Sequence, residues 1–89
     1  AGVNSEGDSE ITVSGHTDDV PLIFGSRYRD NWDLAAARSA SVVQSLSSDD
    51  LITGDRLEAI SYGESRPVES NETAAGRAKN RRIEIEINY

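Results

Sequence analysis

The sequence predicts a single α/β domain, an α+β two-layer sandwich with helices packed on one face of a small mixed sheet. Two segments, "EITVS" from Glu10 and "IEIEINY" from Ile83, alternate apolar and polar residues, which is typical of strands with one buried face. Between them runs a long helical pattern. The order strand, helix, strand, short helix, strand indicates two layers around one core, and 89 residues suffice for one small domain.

The first strand follows a polar leader. Residues 1–9, "AGVNSEGDS", are small, polar and acidic, and we interpret them as flexible. The domain itself is expected over residues 10–89. Its first strand should bury Ile11 and Val13, and a long irregular loop is expected to run from about His16 to Asp30.

The pattern after this loop predicts a helix that ends near Ser47 to Asp49. Asp30 or Asn31 can cap it, and Asp33 stands in the first turn, where the helix dipole favours a negative charge. Four apolar positions recur at helical spacings and are expected to form its buried stripe: Ala35, Val42, Val43 and Leu46.

The second half of the chain predicts a turn or short helical turn at residues 53–56 and a strand at residues 57–62 that is ended by Gly63. After a loop, "AAGRAKNRR" indicates a short helix with basic residues at its C-terminal end, where cations suit the dipole. The last strand should place its isoleucines on the core face and Glu84 and Glu86 on the solvent face.

Composition excludes several classes of protein. The net charge of −7 argues against a nucleic-acid binder, because phosphate attraction needs a positive field. The chain has no cysteine, so it offers neither disulfides nor thiolate metal sites. No apolar run approaches the roughly 18 residues of a membrane span. Four basic residues near the C-terminus are expected to cap the short helix and pair with acidic groups: Arg77, Lys79, Arg81 and Arg82.

The stretch "SGHTDDVPL" places the only histidine, His16, beside Asp18 and Asp19. A zinc site needs three or four converging ligands, and the chain has no second histidine. If the strand continues here, the two aspartates point to opposite faces. No serine stands in a nucleophile motif. We therefore expect no metal, no cofactor and no catalytic residue. An alternative is that Thr17 and Asp18 only close a turn through side-chain to backbone bonds.

Two helix residues give a different possibility for the strand end. Leu34 and Arg38 are four residues apart and share one helix face. A strand that feeds a helix brings its C-terminal end close to the helix start, and loops at that edge bind ligands in such folds. Asp18 and Arg38 are therefore expected to line one cleft. The spacing leaves open whether they pair with each other or clamp a zwitterion.

Four motifs in the right order resemble the OmpA-like peptidoglycan-binding domain: "GHTDD", "NWDLAAARSASVV", "RLEAISYGESRPV" and "GRAKNRRIEIEI". The resemblance covers residues 10–89. The chain departs from the usual family pattern in having Ala35 for serine and Ser39 for alanine. Within the family, the long loop, the tryptophan in "NWDL" and the "GRAKNRR" ending are most similar to the C-terminal periplasmic domain of MotB/PomB-type flagellar stator proteins.

The resemblance implies non-catalytic binding of peptidoglycan that anchors a flagellar motor stator complex to the cell wall. In the family pattern Asp18 matches the residue that takes the ammonium group of diaminopimelate in the stem peptide. Arg38 matches the residue that takes its carboxylate. Asn31 and Leu34 match positions of the pocket wall, Thr17 flanks the acid, and His16 is left a structural role.

The resemblance also implies partners and a location. It implies a homodimer in the periplasm, as part of an inner-membrane-anchored protein whose other regions meet a channel-forming stator subunit. Family domains ordinarily carry another strand and helix before the "GHTD" corner, so a truncated domain with exposed apolar surface stays open. Two alternatives also stay open: an outer-membrane anchor of the OmpA or Pal type, and an interaction or dimerisation domain that binds no wall.

Overall fold

A computed structural model describes residues 10–48 and 54–88. It confirms the predicted α+β class, with two helices and a three-stranded mixed sheet. The predicted leader, residues 1–9, lies outside the described residues. The elements are β1 (Glu10–His16), α1 (Asn31–Ser48), a single 3-10 turn (Gly54–Arg56), β2 (Leu57–Gly63), α2 (Ala74–Asn80) and β3 (Arg82–Asn88).

The first strand is the centre of the sheet, whose order is β2-β1-β3. β1 pairs parallel with β2 and antiparallel with β3, so Val13 faces Ala59 on one side and Ile85 on the other. The register against β2 shifts between Gly15 and His16. β1 is two residues longer than the sequence predicted, because Gly15 and His16 also belong to the strand.

The core lies where α1 crosses β1, and it is built from small residues. Val13, Ala35 and Ser39 are fully buried. A Cβ atom on Gly15 would lie only 2.2 Å from the carbonyl oxygen of Ala35, so the helix backbone approaches the strand more closely than a side chain would allow. The buried line of α1 is therefore Asn31, Ala35 and Ser39, four residues apart.

This line corrects the stripe predicted for the helix. Ala35 is buried as expected, but Val42, Val43 and Leu46 are only half-buried, and Ser39 was not predicted. Apolar periodicity finds large side chains, whereas a close helix approach selects small ones.

The predicted core face of β3 is largely uncovered in the described part of the chain. α1 packs against β1 and β2, and Ile85 and Ile87 of β3 stay 56% and 47% exposed. The predicted strand β3 is thus confirmed, but its apolar face does not enter the core formed by residues 10–48 and 54–88.

Both helices begin at residues whose side chains cap them. The Asp30 carboxylate accepts from the Asp33 N–H at 2.9 Å, and the Thr73 hydroxyl accepts from the Gly76 N–H at 2.9 Å. At the end of α2 the fully buried Asn80 holds the preceding loop. Its side-chain oxygen Oδ1 accepts from the backbone N–H groups of Val68 and Glu69. Neither described helix combines the length and apolar character that a bilayer crossing requires.

Candidate functional site

The backbone beyond β1 keeps its pairing for one more residue. The Thr17 N–H donates to the Gly63 carbonyl at 2.8 Å, and the Thr17 hydroxyl donates to the carbonyl of Asp18 at 2.8 Å. Gly63 has φ of +53°, and a Cβ there would meet the Trp32 ring at 2.9 Å. Glycine is therefore required at this end of β2. The hydrogen bonds of Thr17 fix the backbone next to Asp18.

The Asp18 carboxylate is held from two directions. Oδ1 accepts from the Val20 N–H at 3.1 Å, and Oδ2 accepts from Arg81 Nη1 at 2.7 Å. The Asp18 side chain is only 11% exposed, while that of Arg81 is 47% exposed. An ionised carboxylate so deeply placed needs such partners, and the guanidinium still presents donors to solvent.

Asn31 ties the loop to the helix start. This buried residue places its amide nitrogen 3.2 Å from the Asp18 carbonyl, 3.1 Å from the Val20 carbonyl and 3.2 Å from Glu64 Oε1. The amide has two N–H groups for these three acceptors, so one N–H group is shared between two acceptors. Asn31 therefore fixes the loop backbone beside Asp18, and its place in the wall of a binding pocket stays a prediction.

A cleft of about 230 Å³ opens beside Asn31. Its other lining residues come from the long loop and from the end of β2: Asp19, Pro21, Leu22, Arg29, Asp30 and Glu64. Three of the lining side chains are carboxylates, whereas the one cation, Arg29, lies 3.7 Å from Asp33. The cleft therefore favours a positively charged group.

The two helix residues of the predicted site lie apart from the Asp18 contacts. Leu34 is half-buried in the first turn of α1. Arg38 is exposed one turn further on, and within the described residues it makes no ion pair. Asp18 pairs with Arg81 rather than with Arg38. The structure thus brings Thr17, Asp18 and Asn31 together and leaves the Arg38 guanidinium facing solvent.

His16 is buried within the sheet. Its Nε2 lies 3.0 Å from the Ser14 hydroxyl, its ring stacks on that of Tyr62 with centroids 5.4 Å apart, and its Nδ1 meets no hydrogen-bond partner among the described residues. Burial lowers the pKa of His16 from 6.5, and the charges of Arg82 and Arg66 lower it further, while Glu84 opposes them. A neutral, stacked imidazole agrees with the structural role expected for it.

Sequence reasoning missed Arg81 and Glu64 as neighbours of the site. The register could have indicated Arg81, because β3 pairs antiparallel with β1 and sets Arg82 opposite His16. Arg82 of the basic cluster behaves as predicted, because it pairs with Glu84 and donates to the Asn80 carbonyl at the end of α2. Arg77 differs from the prediction, since it donates to the carbonyl of Asn71 in the loop before α2.

Within residues 10–48 and 54–88, no group of three or more His, Cys, Asp or Glu side chains is arranged so that it could hold a metal ion. A fixed carboxylate, a half-exposed guanidinium and an acidic cleft can together hold a ligand that carries both an ammonium group and a carboxylate.

The model of the OmpA family matches residues 3–81. The chain belongs to the OmpA family. Three relatives of this OmpA-family chain show where the domain occurs. Motility protein B of Bacillus subtilis is 42% identical over 77 residues, which are 86% of this chain and 29% of the relative. Outer membrane porin F of Pseudomonas aeruginosa is 45% identical over 79 residues, 89% of this chain and 21% of the relative.

The third relative, the peptidoglycan-binding protein ArfA of Mycobacterium tuberculosis, is 37% identical over 81 residues, 91% of this chain and 23% of the relative. Among solved structures, a MotB-like protein of Desulfovibrio vulgaris superposes with a TM-score of 0.83 at 32% identity, covering 93% of this chain and 51% of that one. The OmpA-family chain thus spans less than a third of these three relatives and about half of the solved chain.

Proposed function

We propose that this OmpA-family domain binds peptidoglycan without catalysis and anchors a flagellar motor stator to the cell wall by clamping the diaminopimelate of the stem peptide. Motility protein B and the D. vulgaris structure support the stator context, and the name of the ArfA relative supports wall binding. In this proposal the domain lies in the periplasm, belongs to an inner-membrane-anchored protein and acts as a homodimer beside a channel-forming subunit.

The observation that carries the proposal is the fixed Asp18 carboxylate at the end of the central strand. Two donors hold it at 3.1 Å and 2.7 Å, so its position is set before a ligand arrives, which lowers the cost of binding. The adjacent carboxylates of Asp19, Asp30 and Glu64 surround the cleft. The ammonium group of diaminopimelate would be attracted to this end.

The carboxylate of the ligand requires a cation opposite Asp18. Arg38 has this role in the proposal, because its exposed guanidinium makes no ion pair within the described residues and a guanidinium grips a carboxylate in bidentate fashion. Arg81 is a second donor, since a single bond to Asp18 leaves several of its N–H groups available. Thr17, Asn31 and Leu34 shape the wall.

The test is an NMR titration of the labelled chain with a stem peptide that contains diaminopimelate. A matched peptide with lysine in its place keeps the ammonium group but lacks the side-chain carboxylate. We expect saturable shifts at residues 16–19 and 31–38, and at least tenfold weaker binding of the lysine peptide. Asp18→Asn and Arg38→Ala should each weaken binding about tenfold or more, whereas Lys79→Ala, an exposed cation of α2, should leave it unchanged.

Equal affinity for the two peptides would overturn the diaminopimelate clamp. An absence of any shift, in a chain whose spectrum shows it folded, would instead favour the assembly role without wall binding. The porin F relative favours one further candidate, an outer-membrane anchor that uses the same clamp. Cell fractionation of the full-length protein separates these two, because a stator subunit must be found with the inner membrane.

A further inference from the structure

The face of the sheet turned away from α1 carries a second, larger cavity. This open-face groove has a volume of about 290 Å³ and is lined by Thr12, Ser14, Tyr62, Arg66, Glu84, Ile85 and Glu86. Most of its strand residues follow from alternation, because Thr12 pairs with Glu86, and Ser14 pairs with Glu84, across the sheet. The groove is separate from the cleft beside Asn31.

The Tyr62 ring in the groove contacts two other side chains. Arg66 places its guanidinium carbon 3.7 Å above the centre of the Tyr62 ring, and the buried His16 ring stacks 5.4 Å away, centre to centre. A cation over an aromatic face is attracted by the ring quadrupole. Tyr62 and Arg66 are thus fixed as one wall, with the donors of Arg66 available for a ligand.

Hydroxyl groups and carboxylates form the rest of the groove. Thr12 donates to Glu58 at 3.0 Å, and Glu84 is committed to Arg82 at 2.5 Å. The Glu86 carboxylate is exposed and makes no hydrogen bond or ion pair among the described residues. Such a lining contrasts with the apolar walls of most small-molecule pockets. Carboxylates that accept from hydroxyls, beside a guanidinium that donates to oxygens, match a polyhydroxylated ligand.

The groove leads along β1 to the clamp. Asp18 stands four residues beyond Ser14, roughly 13 Å along an extended chain. β1 ends at His16, but the Thr17 N–H still donates to the Gly63 carbonyl, so the backbone runs on from the groove towards Asp18. In peptidoglycan, diaminopimelate is the third residue of a peptide attached to a sugar, and three extended residues reach roughly 10 Å. One ligand can therefore span both places.

We propose that the open-face groove binds the glycan portion of peptidoglycan while the Asp18 site holds the stem peptide. This inference rests on the function proposed above and adds to it the sugar as a second recognised part. The Glu86 carboxylate accepts from sugar hydroxyl or N-acetyl N–H groups, and Arg66 donates to sugar oxygens. Because the two contacts belong to one molecule, the second forms at a high effective concentration.

The experiment compares three ligands in NMR titrations of the whole 89-residue chain. They are an N-acetylglucosamine tetramer without peptide, the diaminopimelate stem peptide alone, and the disaccharide muropeptide that carries the same stem. We expect the tetramer to shift the amides of Thr12, Ser14, Glu84 and Glu86. The muropeptide should bind about tenfold more tightly than the stem peptide.

Glu86→Gln is the groove variant, and it changes only an exposed side chain. It should reduce the affinity advantage of the muropeptide over the stem peptide to less than about threefold. The affinity for the stem peptide alone should stay unchanged. Glu72→Gln removes an equally exposed carboxylate outside the groove and should keep the full gain.

Each other outcome overturns one of the two proposals. A muropeptide no tighter than its stem peptide, with no groove shifts from the tetramer, overturns the glycan site and leaves the clamp standing. Groove shifts from the tetramer without stem-peptide binding support the glycan site and overturn the clamp. If Glu86→Gln does not reduce the affinity advantage of the muropeptide over the stem peptide, the sugar binds elsewhere. This result would also overturn the proposed glycan site in the groove.

Discussion

At the scale of single residues, the position of the Asp18 carboxylate is set by its two hydrogen-bond donors. One bond comes from a backbone N–H two residues away, and the other from Arg81, which is 63 residues further along the chain. Thr17 and Asp18 also hydrogen-bond locally, as the turn interpretation expected. The local contacts and the long-range pair coexist, so the turn is the means by which the carboxylate is positioned.

Replacement of Arg81 by alanine should destabilise the fold. The change leaves the Asp18 carboxylate, 11% exposed, with the Val20 N–H as its remaining bond, and we expect a loss of about 1–2 kcal/mol in the free energy of unfolding. Lys79→Ala is the matched control, because Lys79 is exposed on the neighbouring helix. Urea denaturation at pH 7 measures both. Equal stability of the two variants would show that the ion pair contributes nothing net.

His16 should make stability depend on pH. Its folded pKa lies below 6.5 because the ring is buried near Arg82 and Arg66, whereas in the unfolded chain it should be near 6.5. As the pH falls below about 6.5, the unfolded chain therefore binds a proton that the folded chain does not. The free energy of unfolding should decrease in this window and be fully restored above it.

The measurement is urea denaturation at several pH values between about 5.5 and 7.5, on the chain and on His16→Gln. The variant should lose most of the dependence. Glu84 does not interfere, because its bond to Arg82 lowers its pKa below 4.5 and its contribution is lost only at more acidic pH. An identical slope in chain and variant would contradict the assignment to His16.

At the scale of elements, the contact between β1 and α1 depends on the absence of a side chain at Gly15. A Cβ there would lie 2.2 Å from the Ala35 carbonyl oxygen, so strand and helix must separate in Gly15→Ala. We expect a loss of at least about 2 kcal/mol.

Gly25→Ala is the control for Gly15→Ala. Gly25 has φ of +88° with no atom within 4 Å of an added Cβ, so only backbone strain of about 1 kcal/mol applies. Thermal or urea denaturation ranks the two variants. A smaller loss for Gly15→Ala than for Gly25→Ala would mean that the helix readjusts freely.

The elements themselves were largely predictable, and their packing was not. The alternation of apolar and polar residues predicted β1 and β3. The Asp30 cap and the helical pattern after it predicted α1, whose end at Ser48 lies within the predicted range. The burial of Ser39 escaped because hydrophobic periodicity ignores small polar residues. The close approach of α1 to β1 depends on Gly15 facing Ala35, and which strand the helix covers cannot be taken from the helix pattern alone.

At the scale of the whole molecule, the core within the described residues is one-sided. Val13 is fully buried under α1, whereas Ile85, its neighbour across the ladder, is 56% exposed. Val13→Thr should therefore cost about 2 kcal/mol, because it buries an unpaired hydroxyl. Ile85→Thr should cost less than about 1 kcal/mol.

Urea denaturation of both variants at two protein concentrations checks this difference. A large, concentration-dependent loss for Ile85→Thr would show that another copy covers β3 and would give the expected homodimer its interface. A large loss that does not depend on concentration would contradict the exposure of this face.

Some of the contacts around Asp18 were predictable from the sequence. The resemblance placed Thr17, Asp18 and Asn31 in one site, and these residues come from the end of β1 and the start of α1, two consecutive elements that the structure joins through hydrogen bonds. Arg81 reaches Asp18 only because β3 lies beside β1 with a particular register. Such a pairing depends on the whole topology, which local patterns do not contain.

The central position of β1 has a mechanical consequence. A load that pulls Asp18 along the axis of β1 acts on a strand that is paired on both edges. The ladder bonds to β2 and β3 run across this direction, so they bear the load together. An edge strand would have only one such ladder to share the same load. The domain is thus built to resist tension at the point where the proposed ligand is held.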